Sequence, residues 1–170
     1  MEKITGTAYL KLIESRLARY FDKKALVQDD LLFSLVAELN ASDEGYFMIP
    51  SIKMYSVKHN EYLFIKHFDE PITMDKLTPY IELLRKRMQE LKTTTEHMSS
   101  LFALVLICEQ GIDNDLSKEL ESYKYHKDYC FSLKGWSDLA LYIVDIPQQS
   151  MRCNKAGRKT AKYFEFVSPK

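Results

Sequence analysis

Acids and a histidine lie at the ends of two predicted strands, and these residue types could do metal chemistry. The predicted strands are Glu61–Phe68 and Leu101–Cys108. Carboxylate oxygens are ligands for magnesium or calcium, and such an ion can activate water or hold a phosphate. The acidic set has five members: His67, Asp69, Glu70, Glu109 and Asp113. It predicts a metal-dependent site for phosphate or phosphodiester processing, with a pair of solvated loops and Asp115 as a helix cap as the alternative.

A second group of side chains lies near the C-terminus and is basic. Residues 152–162 contain no acid, and Tyr123–Tyr129 alternates aromatic rings with charges. Basic side chains neutralise phosphates and tyrosines stack on bases, so the group predicts contact with nucleic acid or phosphate. The alternative is a strand edge protected by lysines, followed by a solvated tail. The basic set consists of Arg152, Lys155, Arg158, Lys159 and Lys162.

The common motifs of cofactor binding and nucleophilic catalysis are missing from the sequence. Residues 154–160 resemble a phosphate-binding loop but lack its leading glycine, and Arg158 stands where that motif needs lysine. Zinc-type cysteine pairs and the Gly-x-Ser-x-Gly elbow do not occur. We therefore predict no cofactor other than a divalent metal at the acidic set. The missing motifs favour a non-enzymatic protein over an enzyme.

Composition limits the classes of protein that this chain could represent. Its 170 residues carry 24 basic and 24 acidic side chains, so the formal charge is zero. That balance argues against a protein that coats nucleic acid. Apolar residues make up 46% of the chain and no linker-like stretch interrupts it, which predicts a single domain over residues 1–170. Residues 151–170 could form a last element or a partly ordered basic tail.

The N-terminal residues and the cysteines indicate the cellular compartment of the protein. No continuous apolar core follows Met1, and no stretch is long enough to span a bilayer. Cys108, Cys130 and Cys153 are odd in number and far apart, which indicates reduced thiols. We expect a cytoplasmic protein without a membrane partner, and a bridge between Cys130 and Cys153 is the alternative.

The elements that must position these groups begin with a helix and three strands. Amphipathic spacing predicts a helix over Ala8–Tyr20. Leu31–Asn40, Tyr46–Val57 and Glu61–Phe68 are predicted as a three-stranded antiparallel meander. Pro50 marks an edge or bulge in the second of these strands, because proline cannot donate to a ladder.

A helix then joins the meander to the apolar run Leu101–Cys108. Thr78 and Pro79 indicate its start, with Asp75 as an alternative cap, and its apolar stripe extends to Leu91. A run without any polar residue is typical of a strand buried on both faces, and strand–helix–strand units of this size are right-handed parallel crossovers.

The C-terminal third is predicted to hold a short helix over Asp115–Tyr123 and a hairpin. The hairpin strands are Asp128–Leu133 and Trp136–Ile146, and Trp136, the only tryptophan, is either a core anchor or an interface residue. The predicted class is α+β: a mixed, mostly antiparallel sheet with an N-terminal helix, a three-stranded meander, one right-handed βαβ crossover and a C-terminal β-hairpin.

The order of helix, three strands, helix and strand resembles that of restriction-endonuclease-like folds. In that comparison Glu14 matches the acid of the first helix, and Asp43 or Glu44 matches the acid of the second strand. The acid-x-Lys pair on the third strand is absent, since Phe64 stands two residues before Lys66. The resemblance is one of element order, and it implies no nuclease site.

Three functions remain open from the sequence. The leading expectation is a non-enzymatic module that binds a protein partner or a second copy of itself, and the 11 tyrosines offer amphipathic area for such a surface. The alternatives are a metal-dependent phosphate-processing enzyme at the acidic set and a nucleic-acid binder at the basic set.

Overall fold

The computed structural model describes residues 3–41, 58–94 and 97–166. In this part of the chain three helices, α1 to α3, cover Gly6–Leu17, Met74–Glu90 and Asn114–Ser122, and two short 3₁₀ helices cover Lys155–Gly157 and Ala161–Phe164. The strands, β1 to β9, cover Asp22–Lys23, Val27–Gln28, Leu31–Leu32, Leu35–Ala41, Lys58–Phe68, His97–Cys108, His126–Asp128, Trp136–Asp145 and Ser150–Cys153.

One mixed sheet organises the described part of the chain. Its strand order is β1-β4-β5-β6-β8-β7, and β9 also pairs with β8. The neighbours β5, β6 and β8 are parallel, whereas the pairs at both edges are antiparallel. The three parallel strands therefore begin at one end of the sheet, which we call the amino end, and finish at the other, the carboxyl end.

The two faces of the sheet bury separate apolar cores because side chains alternate along each strand. On one face α1 places Tyr9, Ile13 and Leu17 against the sheet, together with Tyr163 and Phe164 from the C-terminal 3₁₀ helix. On the other face α2 and α3 supply residues that include Leu77, Leu84 and Leu120. Coverage of both faces explains why β6 and β8 are apolar almost throughout.

The predicted α+β class with a mixed sheet is confirmed, and so is the parallel pairing of Glu61–Phe68 with Leu101–Cys108. A second parallel connection, from β6 to β8, adds to the predicted one. The predicted C-terminal hairpin is present as β7 and β8, but its first strand is His126–Asp128, and most of the predicted strand Asp128–Leu133 lies in the turn between the two strands. The right-handed sense of the crossover stays a prediction, and the strand predicted over Tyr46–Val57 lies outside the described residues.

Helix α2 begins earlier than the predicted start at Thr78. Thr73 has extended backbone angles and caps the helix by accepting a hydrogen bond from the N–H of Lys76, so Pro79 lies inside the helix. The hydroxyl of Thr78 donates to the carbonyl of Met74 at 2.8 Å instead of capping. Asp75 falls in the first turn, where a negative charge favours the helix dipole.

The predicted strand over Leu31–Asn40 divides into two elements. Asp29 and Asp30 adopt left-handed backbone angles and form a turn, so β2 and β3 pair as a separate hairpin. The main-sheet strand β4 begins only at Leu35. The turn was missed because aspartate signals a left-handed turn more weakly than glycine does.

The basic C-terminal segment packs against the sheet as far as residue 166. The hydroxyl of Tyr9 on α1 donates to the carbonyl of Phe164, and the guanidinium of Arg16 donates to the carbonyls of Tyr163 and Glu165. All three cysteines are free thiols. Among the described residues no helix combines the length and apolar character needed to cross a membrane.

Candidate functional site

The structure brings three members of the acidic set together at the carboxyl end of the sheet. His67 on β5 and Glu109 after β6 form a contact of 2.7 Å between Nε2 and Oε2, and Asp69 lies 3.7 Å from the same imidazole nitrogen. The same oxygen of Glu109 accepts the backbone N–H of Gly6 at 2.9 Å. A Cβ at Gly6 would overlap both side chains, so the pair is closed against the start of α1.

The other two members of the acidic set have separate structural partners. Glu70 pairs with Lys76 at 3.1 Å on the surface. Asp113 caps α3 by accepting the N–H groups of Asp115 and Leu116, so it takes the capping role expected of Asp115. In residues 3–41, 58–94 and 97–166, no group of three or more His, Cys, Asp and Glu side chains is arranged to hold a metal ion.

The basic set is also divided among different surroundings. Arg152 contacts the hydroxyl of Ser117 at 3.1 Å and the carboxylate of Glu121 at 3.6 Å, which ties β9 to α3. Lys162 lies over the ring of Tyr163, and Arg158 is exposed. Lys155 and Lys159 differ from these residues because both line a cavity.

This cavity opens where the three parallel strands begin, and we call it the amino-end cavity. It has a volume of about 380 Å³, which falls within the range of small-ligand sites. The residues at its wall come from the starts of β5, β6 and β8, from the segment 123–126 and from the C-terminal segment 154–160. Its apolar members are Leu101, Trp136, Leu139 and Ala156.

His59 lines the amino-end cavity and is incompletely hydrogen bonded. The imidazole is 7% exposed, and its Nδ1 lies 2.6 Å from the hydroxyl of Ser99 on β6. Its Nε2 is buried and has no hydrogen-bond partner among the residues that the structure describes. Burial, with a smaller contribution from His97, lowers the pKa of His59 below its ordinary value, so the neutral ring is favoured.

Glu61 lies two residues along the same strand and repeats this pattern. Its side chain is 5% exposed, and one carboxylate oxygen, Oε2, has no partner. Burial raises the pKa of Glu61 to about 8. A buried polar atom without a partner costs stability, and such costs concentrate at functional sites. Glu61 also acts electrostatically on Tyr142, whose hydroxyl is bonded to Thr160 at the cavity wall.

The cavity wall carries positive charge that the described residues leave unpaired. Lys124, Lys155 and Lys159 are exposed, and none forms an ion pair within the described part of the chain. In contrast, His126 pairs with Asp138 at 2.7 Å, and hydrogen bonding to that carboxylate raises the pKa of His126. The wall therefore holds three free ammonium groups and one neutralised pair.

The backbone beside the cavity is strained at the turn that leads into β8. Cys130, Phe131 and Ser132 have φ values of 49°, 54° and 66°, in a region that residues other than glycine rarely adopt. Phe131 is 98% exposed and Leu133 is 81% exposed. Residues in such conformations persist where the surrounding structure holds them, often at functional positions.

The sequence interpretation missed His59, Glu61 and Ser99. The predicted strand Glu61–Phe68 left His59 outside it, whereas β5 starts at Lys58. Once the strand includes them, His59 and Glu61 continue the face that buries Leu63 and Ile65. Polar residues at positions of a buried face are the signal that could have identified them.

Asn154 connects the cavity wall to the sheet, and it too was missed. Its side-chain oxygen accepts the N–H groups of Leu141 and Gly157, and its amide donates to the carbonyls of Tyr123 and Leu139. This buried asparagine thereby joins the segments before β7 and after β9. It fixes the position of the backbone that carries Lys155 and Lys159.

Comparison with known proteins identifies a family but no function. Among curated proteins no sequence matches this chain, and among solved structures none does either. One family model, described as Domain of unknown function (DUF8052), matches residues 5–166. Because this match covers most of the 170 residues, the chain belongs to the family described as Domain of unknown function (DUF8052).

Proposed function

We propose that this chain is a non-enzymatic binding module that holds a small organic ligand in the amino-end cavity. The observation that carries the proposal is a cavity of about 380 Å³ whose lining includes His59, a residue with a buried Nε2 that has no hydrogen-bond partner among the described residues. Leu101, Trp136 and Leu139 offer apolar area to such a ligand. Ligand sites are generally concave, largely apolar and equipped with a few polar groups.

The contacts of the acidic set favour this proposal over metal-dependent phosphate processing. Glu109 contacts the first turn of α1, Asp113 caps α3 and Glu70 pairs with a lysine. Each carboxylate therefore already has a partner within the fold. A metal ion that used these carboxylates would have to displace contacts that hold two helices in place.

Filling the cavity tests the proposal. We would screen a fragment library by thermal shift against the wild type, Ala156→Phe and Ser99→Leu. Ala8→Phe, an exposed position on α1, is the matched control. A ligand that binds only the folded state raises the melting midpoint. We expect stabilising fragments for the wild type and for Ala8→Phe but not for the two filled variants, each first shown to be folded by circular dichroism.

The same fragments would contradict the proposal if they stabilised all four proteins equally. That result would place their binding elsewhere on the molecule. The use of two filling substitutions on different segments separates blockage of the cavity from a local folding defect, since Ala156 lies after β9 and Ser99 lies on β6.

Self-association is a second candidate function, and the turn before β8 favours it. Phe131 and Leu133 expose apolar side chains there, and Met98 nearby is 38% exposed. The partner that we propose is a second copy of this chain. Light scattering on the wild type and on a Phe131→Ser, Leu133→Ser variant tests it: we expect a dimer that the double substitution converts to monomer. A monomeric wild type at high concentration would contradict it.

The proposed location is the cytoplasm. Cys130 is a free and exposed thiol, and Cys108 and Cys153 are also unpaired. Free thiols of this kind persist in reducing compartments.

A further inference from the structure

We propose that the ligand of the amino-end cavity carries an acidic group, and that its binding is coupled to uptake of a proton by His59. This inference rests on the proposed function and adds the chemical class of the ligand. The acidic group is an oxyanion, either a carboxylate or a phosphate.

The charge of the cavity wall supports an anionic ligand. Lys124, Lys155 and Lys159 surround the cavity, and they have no ion-pair partner among residues 3–41, 58–94 and 97–166. The carboxylate of Asp138 in the same wall is committed to His126. Each of these exposed ammonium groups attracts an oxyanion at the wall, and the attraction should weaken as salt is added.

The environment of His59 supports the proton coupling. Burial and, to a smaller extent, His97 disfavour the imidazolium charge, so the pKa of His59 lies below its ordinary value. Whichever neutral tautomer it adopts, Nδ1 engages Ser99 and Nε2 stays unsatisfied. An oxyanion in the cavity supplies the opposite charge that the imidazolium lacks. Binding should therefore raise the pKa of His59 and draw a proton from solution.

The groups that face His59 are predominantly cationic or neutral. Ala41 is its register partner on β4, and Ser99 is its register partner on β6. Glu61 on the same strand is buried and holds its proton up to a pKa of about 8. The remaining described titratable side chains around it are His97, Tyr123, Lys124, Tyr125, His126, Asp138, Lys155 and Lys159. Asp138 is the one carboxylate among them, and it is paired with His126.

The direction of the pH dependence follows from these charges. The pKa of His59 lies below its ordinary value in the free protein and should rise when the anion is bound. At pH values between the pKa of the free protein and that of the complex, the complex holds one more proton. The affinity for the anion should therefore increase as the pH falls through this range. One coupled proton changes affinity by up to about tenfold per pH unit.

The test uses benzenesulfonate, whose charge is constant between pH 5 and 8, with neutral benzenesulfonamide as the matched probe. Trp136 is the only tryptophan and lines the cavity, so its fluorescence reports binding there. We expect the sulfonate to bind at least tenfold more tightly than the sulfonamide at pH 6. Lys155→Gln, Lys159→Gln should abolish this preference, whereas Lys11→Gln, Lys118→Gln, with the same change in net charge, should retain it.

Histidine variants test the coupling. His59→Gln should bind the sulfonate with an affinity that no longer varies with pH. His67→Gln is the control, because that histidine lies at the carboxyl end of the sheet against Glu109, and it should retain the pH dependence of the wild type. Nitrogen-15 chemical shifts of the His59 ring provide a second measurement, and they should move toward the imidazolium values when the sulfonate is added at pH 6.5.

The outcomes separate the proposal from the function on which it rests. Equal binding of sulfonate and sulfonamide would overturn the anion preference while leaving the binding module intact. An unchanged pH slope in His59→Gln would overturn the proton coupling alone. If neither probe nor any fragment bound at the cavity, both the inference and the proposed function would be contradicted. Where the sulfonate does bind, a comparison of benzoate with phenyl phosphate at one pH defines the acid, because the tighter ligand identifies it as a carboxylate or as a phosphate.

Discussion

The two ends of the parallel strands carry different kinds of polar residues. At the carboxyl end, Glu109 contacts His67 and Gly6, and Asp113 caps α3. At the amino end, His59 and Glu61 each bury an atom that has no partner within the described part of the chain, and three lysines form no ion pair with a described residue. The comparison teaches that charged residues near a strand terminus identify a site only when the fold leaves them unsatisfied.

The largest effect should come from removing the structural carboxylate at the carboxyl end. Glu109→Ala leaves the N–H of Gly6 and the ring of His67 without their partner, so we expect the free energy of unfolding to fall by about 2–3 kcal/mol. Urea denaturation measures it. The control is Glu70→Ala, which removes an exposed ion pair and should cost less than about 1 kcal/mol. Equal effects of the two substitutions would contradict the distinction between a carboxylate that holds the fold together and one that is exposed on the surface.

Glu61→Gln should raise the free energy of unfolding, by an amount that depends on pH. The pKa of Glu61 is raised from 4.5 to about 8, so the folded protein retains a proton that the unfolded chain loses. Stability should therefore decline as pH rises from 4.5 to about 8, and the glutamine variant should avoid this decline. We expect a gain of about 1–2 kcal/mol at pH 8 and little gain at pH 4.5. Denaturation at both pH values measures it.

The exposed Glu119 provides the control for that experiment. Glu119→Gln should change stability by less than about 0.5 kcal/mol at either pH. A Glu61→Gln variant with the same pH dependence as the wild type would show that this carboxyl group is ionised when buried.

A smaller effect is expected for the capping residue of α3. Asp113→Ala should lower the free energy of unfolding by about 1 kcal/mol, because the N–H groups of Asp115 and Leu116 lose their acceptor. Asp115→Ala removes only a charge near the helix start and should cost about 0.3 kcal/mol. Thermal shift with magnesium on both variants sharpens the comparison. If magnesium raised the melting midpoint of the wild type but not that of Asp113→Ala, Asp113 would be a metal ligand and not only a helix cap.

The smallest effect should come from the strained turn at the amino end. Phe131→Gly relieves a left-handed conformation, and we expect a gain of about 0.5 kcal/mol in the free energy of unfolding. Leu133→Gly is matched in exposure but has no such conformation, and it should lower stability by a similar amount. Thermal melts compare the two variants. A loss of stability in both would show that Phe131 is not strained.

The sequence predicted the helices and strands that have strong periodicity. It did not predict the features that depend on tertiary contacts. The stripe of Leu77, Ile81 and Leu84 identified α2, and the apolar run of β6 identified the centre of the sheet. The start of α2 was placed at Thr78 because proline there outweighed the weaker capping signal of Thr73. Neither the second parallel connection nor the pairing of β9 with β8 has a local signal.

The site was partly visible in the sequence, because Lys155, Lys159, Trp136 and the segment from Tyr123 were singled out. Their convergence on the starts of β5, β6 and β8 depends on the strand order and could not be derived from spacing. His59 was not identified because β5 starts three residues earlier than the predicted strand Glu61–Phe68, and only this longer strand includes it. His67 and Glu109 are adjacent in the structure, which the sequence alone could not establish, and adjacency does not separate a ligand pair from a structural contact.

The most direct test of the central claim is an NMR titration of the uniformly nitrogen-15-labelled protein with benzenesulfonate. We predict that the indole N–H of Trp136 and the backbone amides of Ser99, Ala156 and Lys159 shift together, at the amino end of the sheet. The amides of Gly6, Glu109 and Leu116 should remain unchanged. Shifts that cluster at the carboxyl end, with Trp136 unaffected, would contradict the assignment of the binding site to the amino-end cavity.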